Sequence, residues 1–255
     1  MIRVVKIGSG VLDDPGALTQ VLDSISIATD PVVLVHGGGR LATDLATKLG
    51  IQQTMIEGRR VTSKQTLQVV TMVYAGWINK TIVAQLQSRN MHVVGVCGAD
   101  NNLILAKQRD PNPIDYGCVG DVVRVNDAAL RHLLHYDGTK NSCVVVAPIT
   151  HDGKGNLLNT NADTIAAEIA LALHPNVELV YAFEHPGVMR DVFDDTSALQ
   201  TLTKAEAQAM QADGSIHSGM MPKLENAFKA VERGISKVRI ARYNALHTTE
   251  GTWIR

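Results

Sequence analysis

The stretch LVHGGGR, residues 34–40, ends an apolar run on a histidine and then places three glycines in a row before the next helical pattern begins. Gly37, Gly38 and Gly39 remove side chains where a strand hands over to a helix, so backbone N–H groups are free to approach a ligand closely. Amides bared at a helix start suit an anion. Outward from this point, short β-branched runs alternate with longer segments of helical period. The strand candidates are residues 2–7, 32–35, 93–96, 144–149, 177–181 and 237–240. Each is nearly continuous in apolar residues, as strands buried on both faces are. The alternation predicts an α/β fold: a three-layer α/β/α sandwich around a mainly parallel central sheet.

Residues 64–88 place Leu67, Val70, Val73, Tyr74, Trp77, Ile78, Ile82 and Leu86 on one broad stripe, which predicts a single long amphipathic helix. The stripe is wide enough to serve a subunit partner as well as the core. Residues 161–173 predict a second helix, with Asn161 or Thr160 as cap, Asp163 in the first turn, and Ile165, Ala166, Ile169, Ala170 and Leu173 facing inward. The HPN stretch, residues 174–176, stops it, because Pro175 cannot continue a helix. A lobe boundary is expected there, giving residues 1–174 and 175–255. The EGRRV and HDGKGN stretches read as hairpin turns.

The 255 residues carry 24 Lys and Arg against 25 Asp and Glu, mixed throughout, so there is no basic field for a nucleic acid or an anionic membrane. A small-molecule partner is expected. The opening MIRVVKIGSG shows neither a spanning stretch nor a signal-peptide pattern, so a cytoplasmic protein is expected. Three cysteines without a C-x-x-C pair read as reduced thiols, and no metal site is indicated.

Four features carry chemistry. Lys6 ends a strand and is followed by Gly8 and Gly10, an ammonium beside bare backbone of the kind a polyphosphate needs. The triple glycine is the second feature. In LLNTNADTIAAE, Asn159 and Asn161 offer amides, and Asp163 a carboxylate, at a helix start. In GMMPKLENA, Pro222 opens a helix as a first-turn proline and Lys223 follows it. Each has a plainer use: a strand-end lysine is by default a solvated charge, the glycines serve tight turns, His36 is a hydrogen-bonded strand end, and Asp163 is a favourable first-turn charge. Walker A, G-x-G-x-x-G, G-x-S-x-G and H-E-x-x-H patterns are missing from the chain.

In order, KIGSG, LVHGGGR, GRRVT, NTNADTIAAEIA, PGVMRD and GMMPK resemble the signature blocks of the amino-acid kinase family, over nearly the whole chain. The GRRVT and N-x-N-A-D blocks are similar to the branch that phosphorylates N-acetyl-L-glutamate rather than to aspartate, glutamate 5-, carbamate or uridylate kinases. The resemblance implies transfer of the ATP γ-phosphoryl group to a side-chain carboxylate in arginine biosynthesis, with Mg²⁺ bridging phosphate oxygens. It implies an N-terminal lobe, residues 1–174, for the acyl amino acid and for dimerisation, and a C-terminal lobe, residues 175–255, for the nucleotide. By the same resemblance, Lys6 and Lys223 are the two transition-state lysines and Asp163 holds them in place. Gly38 and Gly39 donate to substrate and transferring group, Arg60 grips a substrate carboxylate, and Asn159 contacts the amino-acid portion. Gly8 and Gly10 meet the phosphates, and Glu184, Gly187 and Met189 line the nucleotide.

Two departures stand out against that pattern. Ser9 interrupts the usual pair of glycines, and FEHPGV, residues 183–188, replaces a Thr-Asp-Val-x-Gly segment, so that Glu184 or His185 stands where an aspartate is usual. The substrate hairpin and residues 98–119 differ enough to leave a larger acyl group, such as succinyl, open. A non-catalytic nucleotide-binding member of the fold is the alternative from another class. Because the chain starts almost on its first strand, the resemblance implies a homodimer joined through residues 64–88, without arginine feedback.

Overall fold

Ile2–Ile7 is buried along its whole length and lies near the middle of an eight-stranded sheet. The computed structural model describes residues 1–56, 58–134, 142–216 and 220–255, with Pro222 and Lys223 described in backbone only. Across the sheet the order is Thr201–Leu202, Thr252–Ile254, Val238–Arg242, Val177–Phe183, Ile2–Ile7, Val32–His36, Ser142–Ala147 and His92–Cys97. The last six run parallel; Thr252–Ile254 is antiparallel to Val238–Arg242, and Thr201–Leu202 follows Thr252–Ile254.

Alternation within the strands feeds two cores. Val4, Val33, Val35, Val144, Leu179 and Tyr181 face one side, under the helices Asp127–Leu134, Ala162–Leu173, Lys204–Ala212 and Met221–Glu232. Val5, Ile7, Leu34, Val145 and Val180 face the other, under Pro15–Ser26, Gly39–Lys48 and the helical stretch from Lys64 to Gln87. These are the three expected layers. Asn161, rather than Thr160, caps its helix by accepting from the Thr164 amide at 3.0 Å.

Two sequence expectations are corrected. Residues 144–149 are not one strand: Ser142–Ala147 ends before Pro148, and Ile149–His151 restarts in a separate four-stranded sheet with Leu157–Asn159, Ile104–Gln108 and Gly120–Val125. Proline cannot donate into a central ladder, so it marks the change of sheet. The long helix is interrupted: Lys64–Thr71 and Asn79–Gln87 are α-helical, while Met72–Ile78 is a π-helix, whose wider turn shifts the apolar stripe. Trp77 on that broad stripe is 70% exposed, beside Met72 at 54%, so the stripe is not spent wholly on the core. Both hairpins form, Thr54–Ile56 with Arg59–Val61 and Ile149–His151 with Leu157–Asn159.

Candidate active site

Strand order reverses between Ile2–Ile7 and Val177–Phe183: the chain builds outward from the first strand on one side, then returns to its other side. In an open parallel sheet the crevice outside the carboxyl ends of the strands at such a point is where ligands bind. Lys6 stands there, only 7% exposed, its Nζ 2.8 Å from Asp163 Oδ1. The default reading of a solvated strand-end lysine is thereby overturned. Asp163 comes from the first turn of the Ala162–Leu173 helix, which packs on Ile2–Ile7. A buried pair of this kind contributes little net stability, because desolvating two charges offsets their attraction. Its place at the strand-order reversal makes it a candidate site instead.

Tyr181 is the parallel-register partner of Lys6 and is buried beside it. Burial, with the negative charge of Asp163 adding to it, raises the phenol above its ordinary range. Its hydroxyl is a buried group that lacks a hydrogen-bond partner among the described residues.

The glycine loops divide their work. The Gly37 amide donates to Ile7 O at 3.1 Å and so belongs to the sheet. The amides of Gly38 and Gly39 donate to no acceptor among the described residues, and they stand at the start of the Gly39–Lys48 helix. Gly38 has φ +139°, and a Cβ there would collide with Ile78 and press on the Tyr74 ring, so glycine is required twice over. Gly8 precedes the short Ser9–Leu12 turn, and a Cβ on it would lie 3.6 Å from Lys6 Nζ. A Cβ on Gly10 would strike the Glu184 carboxylate. Glu184 thus lies over the glycine turn, joining the KIGSG and FEHPGV segments in space.

Arg60 is 9% exposed, and its Nη2 donates to Gly39 O and Thr43 Oγ1, both at 2.8 Å, while Nη1 donates to Gln53 Oε1. The Tyr74 phenol lies against the same guanidinium; burial raises it, and Arg60 partly opposes the shift. Asn159 Nδ2 donates to Thr62 Oγ1 at 3.0 Å, and the Asn159 amide donates to Cys118 O at 2.9 Å. The Arg59–Val61 strand, the loop at residues 116–119 and the Asn159 segment therefore form one wall, with Arg60 at its glycine end.

The remaining expected residues are less tightly gathered. Gly187 is buried because a Cβ would collide with Thr252, whose Oγ1 accepts from the Val188 amide at 2.8 Å. Met189 is buried, bridged to Ala198. Both thus have packing roles against the sheet edge. Lys223 occupies the first turn of Met221–Glu232, a helix packed against Ala162–Leu173; its side chain lies outside the described residues. Among the described residues, no group of three His, Cys, Asp or Glu side chains is placed to hold a metal ion. No helix among them is long and apolar enough to cross a membrane.

The sequence profile of the amino acid kinase family matches residues 1–242. The chain belongs to the amino acid kinase family. Among its relatives, acetylglutamate kinase of Bacteroides fragilis is 48% identical over 256 residues, covering 100% of this chain and 97% of that protein. Acetylglutamate kinase of Bacteroides thetaiotaomicron is 47% identical over 256 residues, covering 100% and 98%. The structure of N-acetylglutamate synthase from Neisseria gonorrhoeae, complexed with coenzyme A and N-acetyl-glutamate, shares the fold with a TM-score of 0.80 at 24% identity, over 99% of this chain and 59% of its own. Within this amino acid kinase, the pattern of element ends located Lys6, Asp163 and the glycine loops. It did not point to Tyr181, Thr62, Thr43, Gln53 or Asn79, which gain meaning only from their neighbours in the fold.

Proposed function

We propose that this chain transfers the γ-phosphoryl group of ATP to the side-chain carboxylate of N-acetyl-L-glutamate, releasing ADP and an acyl phosphate. The observation that carries the reading is the buried Lys6–Asp163 pair at the strand-order reversal, on the strand next to the one whose end bears the free Gly38 and Gly39 amides. The relatives named acetylglutamate kinase support the choice of acceptor.

In this reaction a carboxylate oxygen forms a bond to the γ-phosphorus while the bond to the β–γ bridging oxygen breaks, and the electron pair leaves with ADP. Two anions meet, so the protein's task is to position them and to offset their charge. Lys6 supplies an ammonium that Asp163 holds in place. The Gly38 and Gly39 amides point donors at developing negative charge, as the dipole at a helix start favours. Arg60 has spent both Nη2 protons and one on Nη1 on Gly39, Thr43 and Gln53, so it offers the remaining substrate carboxylate its positive charge and single N–H donors on Nε and Nη1. Asn159, tied to Thr62 through Nδ2, keeps its Oδ1 for the amino-acid portion. Residues 1–174 hold the acyl amino acid and residues 175–255 the nucleotide, with Gly8 and Gly10 at the phosphates, Glu184 lining the nucleotide and Lys223 as the second transition-state cation. A Mg²⁺ ion arriving with ATP would neutralise part of the phosphate charge beside Lys6, Gly8 and Gly10.

The exposed face of the long helical stretch, with Met72, Gly76, Trp77 and Ala84, suits a second copy of the chain. A light-scattering mass of twice 27.5 kDa is expected. The activity is tested by ADP release from MgATP with N-acetyl-L-glutamate, N-succinyl-L-glutamate and free L-glutamate offered in parallel. Preference for the acetyl compound is expected; preference for succinyl would keep the mechanism and change the acyl pocket, and turnover with none would remove the reading.

A further inference from the structure

His36 closes the Val32–His36 strand, is fully buried, and plays no part in the chemistry described above. Its Nδ1 lies 2.9 Å from Gly37 O. A carbonyl oxygen only accepts, so Nδ1 carries the proton and Nε2 is left with its lone pair. Facing Nε2 at 3.5 Å is Nδ2 of Asn79, itself fully buried, which also donates to Val145 O at 3.0 Å. Asn79 is the first residue after the π-helical stretch, and its Oδ1 accepts from Lys80 Nζ at 3.0 Å. Gly95 makes room for that carboxamide: a Cβ there would collide with Asn79 Oδ1. Asn79 Nδ2 also reaches Val96 O at 3.4 Å, so His36 alone bonds the Gly37 carbonyl, and Asn79, seated against Gly95, backs the imidazole.

Peptide geometry shows what that carbonyl controls. In a planar trans peptide the C=O and the following N–H point in opposite directions. Holding Gly37 O therefore fixes the direction of the Gly38 N–H. Without this hold, a run of three glycines is the segment with the most backbone freedom in the chain, and a flipped Gly37–Gly38 peptide would turn a carbonyl dipole toward the incoming anion.

We propose that His36 is a positioning residue, whose Nδ1–H locks the Gly37–Gly38 peptide so that the Gly38 amide faces the transferring group, with Asn79 holding the imidazole in register. Burial lowers the imidazole from its ordinary value to about 4, so it stays neutral and Nε2 stays an acceptor throughout the working pH range. The proposal rests on the phosphoryl-transfer reading.

Its test compares wild type, His36→Leu and His36→Asn in the ADP-release assay with N-acetyl-L-glutamate. Asn places an amide donor near the position of Nδ1; Leu fills the space with none. Expected is a fall in kcat of about 10²-fold for His36→Leu, with the KM for MgATP within about threefold, and recovery to within about tenfold of wild type in His36→Asn. Equal turnover in wild type and a folded His36→Leu overturns the proposal, while turnover missing already in wild type removes the underlying reading and the proposal with it. If His36→Leu does not fold, glycine-labelled wild-type protein decides by NMR: the Gly38 amide must shift on addition of N-acetyl-L-glutamate and MgADP while the Gly37 amide does not. An unmoved Gly38 signal overturns the proposal.

Discussion

Two buried charge clusters share the same pair of strands, three residues apart, on opposite faces of the sheet. In the first, Glu178 accepts from Arg3 Nε at 2.9 Å through Oε2 and from Arg239 Nε at 2.8 Å through Oε1. Arg239 also donates to Glu250 O and lies over the Trp253 ring, 5.6 Å from its centroid, although its Nη2 lacks a partner among the described residues. In the second, Lys6 meets Asp163 alone, at 2.8 Å, leaving its ammonium with N–H donors to spare, and the Tyr181 hydroxyl lacks a hydrogen-bond partner among the described residues. The cluster at the amino ends of the strands spends nearly all its charge on itself. The one at the carboxyl ends keeps bonding capacity for something that arrives. Burial of charge is common to both, so burial alone does not identify a site; unspent donors and acceptors at a strand-order reversal do.

Breaking the first cluster should affect folding alone. Glu178→Ala leaves two buried guanidinium groups without their shared carboxylate, and a loss of about 3–5 kcal/mol is expected in urea denaturation, with kcat unchanged in the protein that remains folded. A comparable loss of kcat would erase the distinction between the clusters. The second cluster should respond in the opposite way. Lys6→Ala is expected to lower kcat by about 10²- to 10³-fold in the same assay, with a smaller change in unfolding free energy than Glu178→Ala gives. Wild-type turnover in Lys6→Ala would sink the assignment. The smallest effect sharpens the contrast. Tyr181→Phe deletes a buried hydroxyl that has no partner, so the variant should be more stable by about 1 kcal/mol in the same denaturation series. A loss of stability would show that the hydroxyl is bonded to Asp163 in solution, and that the second cluster is as saturated as the first.

Element ends were the legible part of this chain. Lys6, the triple glycine, Asn161 and Asp163 sit where strand patterns stop or helix patterns start, and such positions announce themselves through glycine, cap residues and breaks in periodicity. Pro148 was also a readable signal, and its conflict with a single strand over residues 144–149 has the ordinary cause that proline leaves a ladder one donor short. The π-helical turn was missed for a subtler reason. A stripe counted at 3.6 residues per turn does not reveal where one turn widens, and no local residue type specifies that widening.

By itself, then, the sequence determined the layered α/β class, the helix caps and the ends of strands where charge and bare backbone coincide, because each of these follows from neighbours a few residues apart. Only the tertiary structure decided that Lys6 is buried against Asp163, that Gly37 belongs to the sheet while Gly38 and Gly39 keep their amides, and that His36 reaches Asn79 across 43 residues. The physical reason is that burial and hydrogen-bond saturation belong to packing between distant segments: Arg3 and Glu178 are 175 residues apart in the chain and direct neighbours in the sheet. Local pattern places a side chain on an element, and the neighbours brought by the fold decide whether its charge is spent on structure or kept for a substrate.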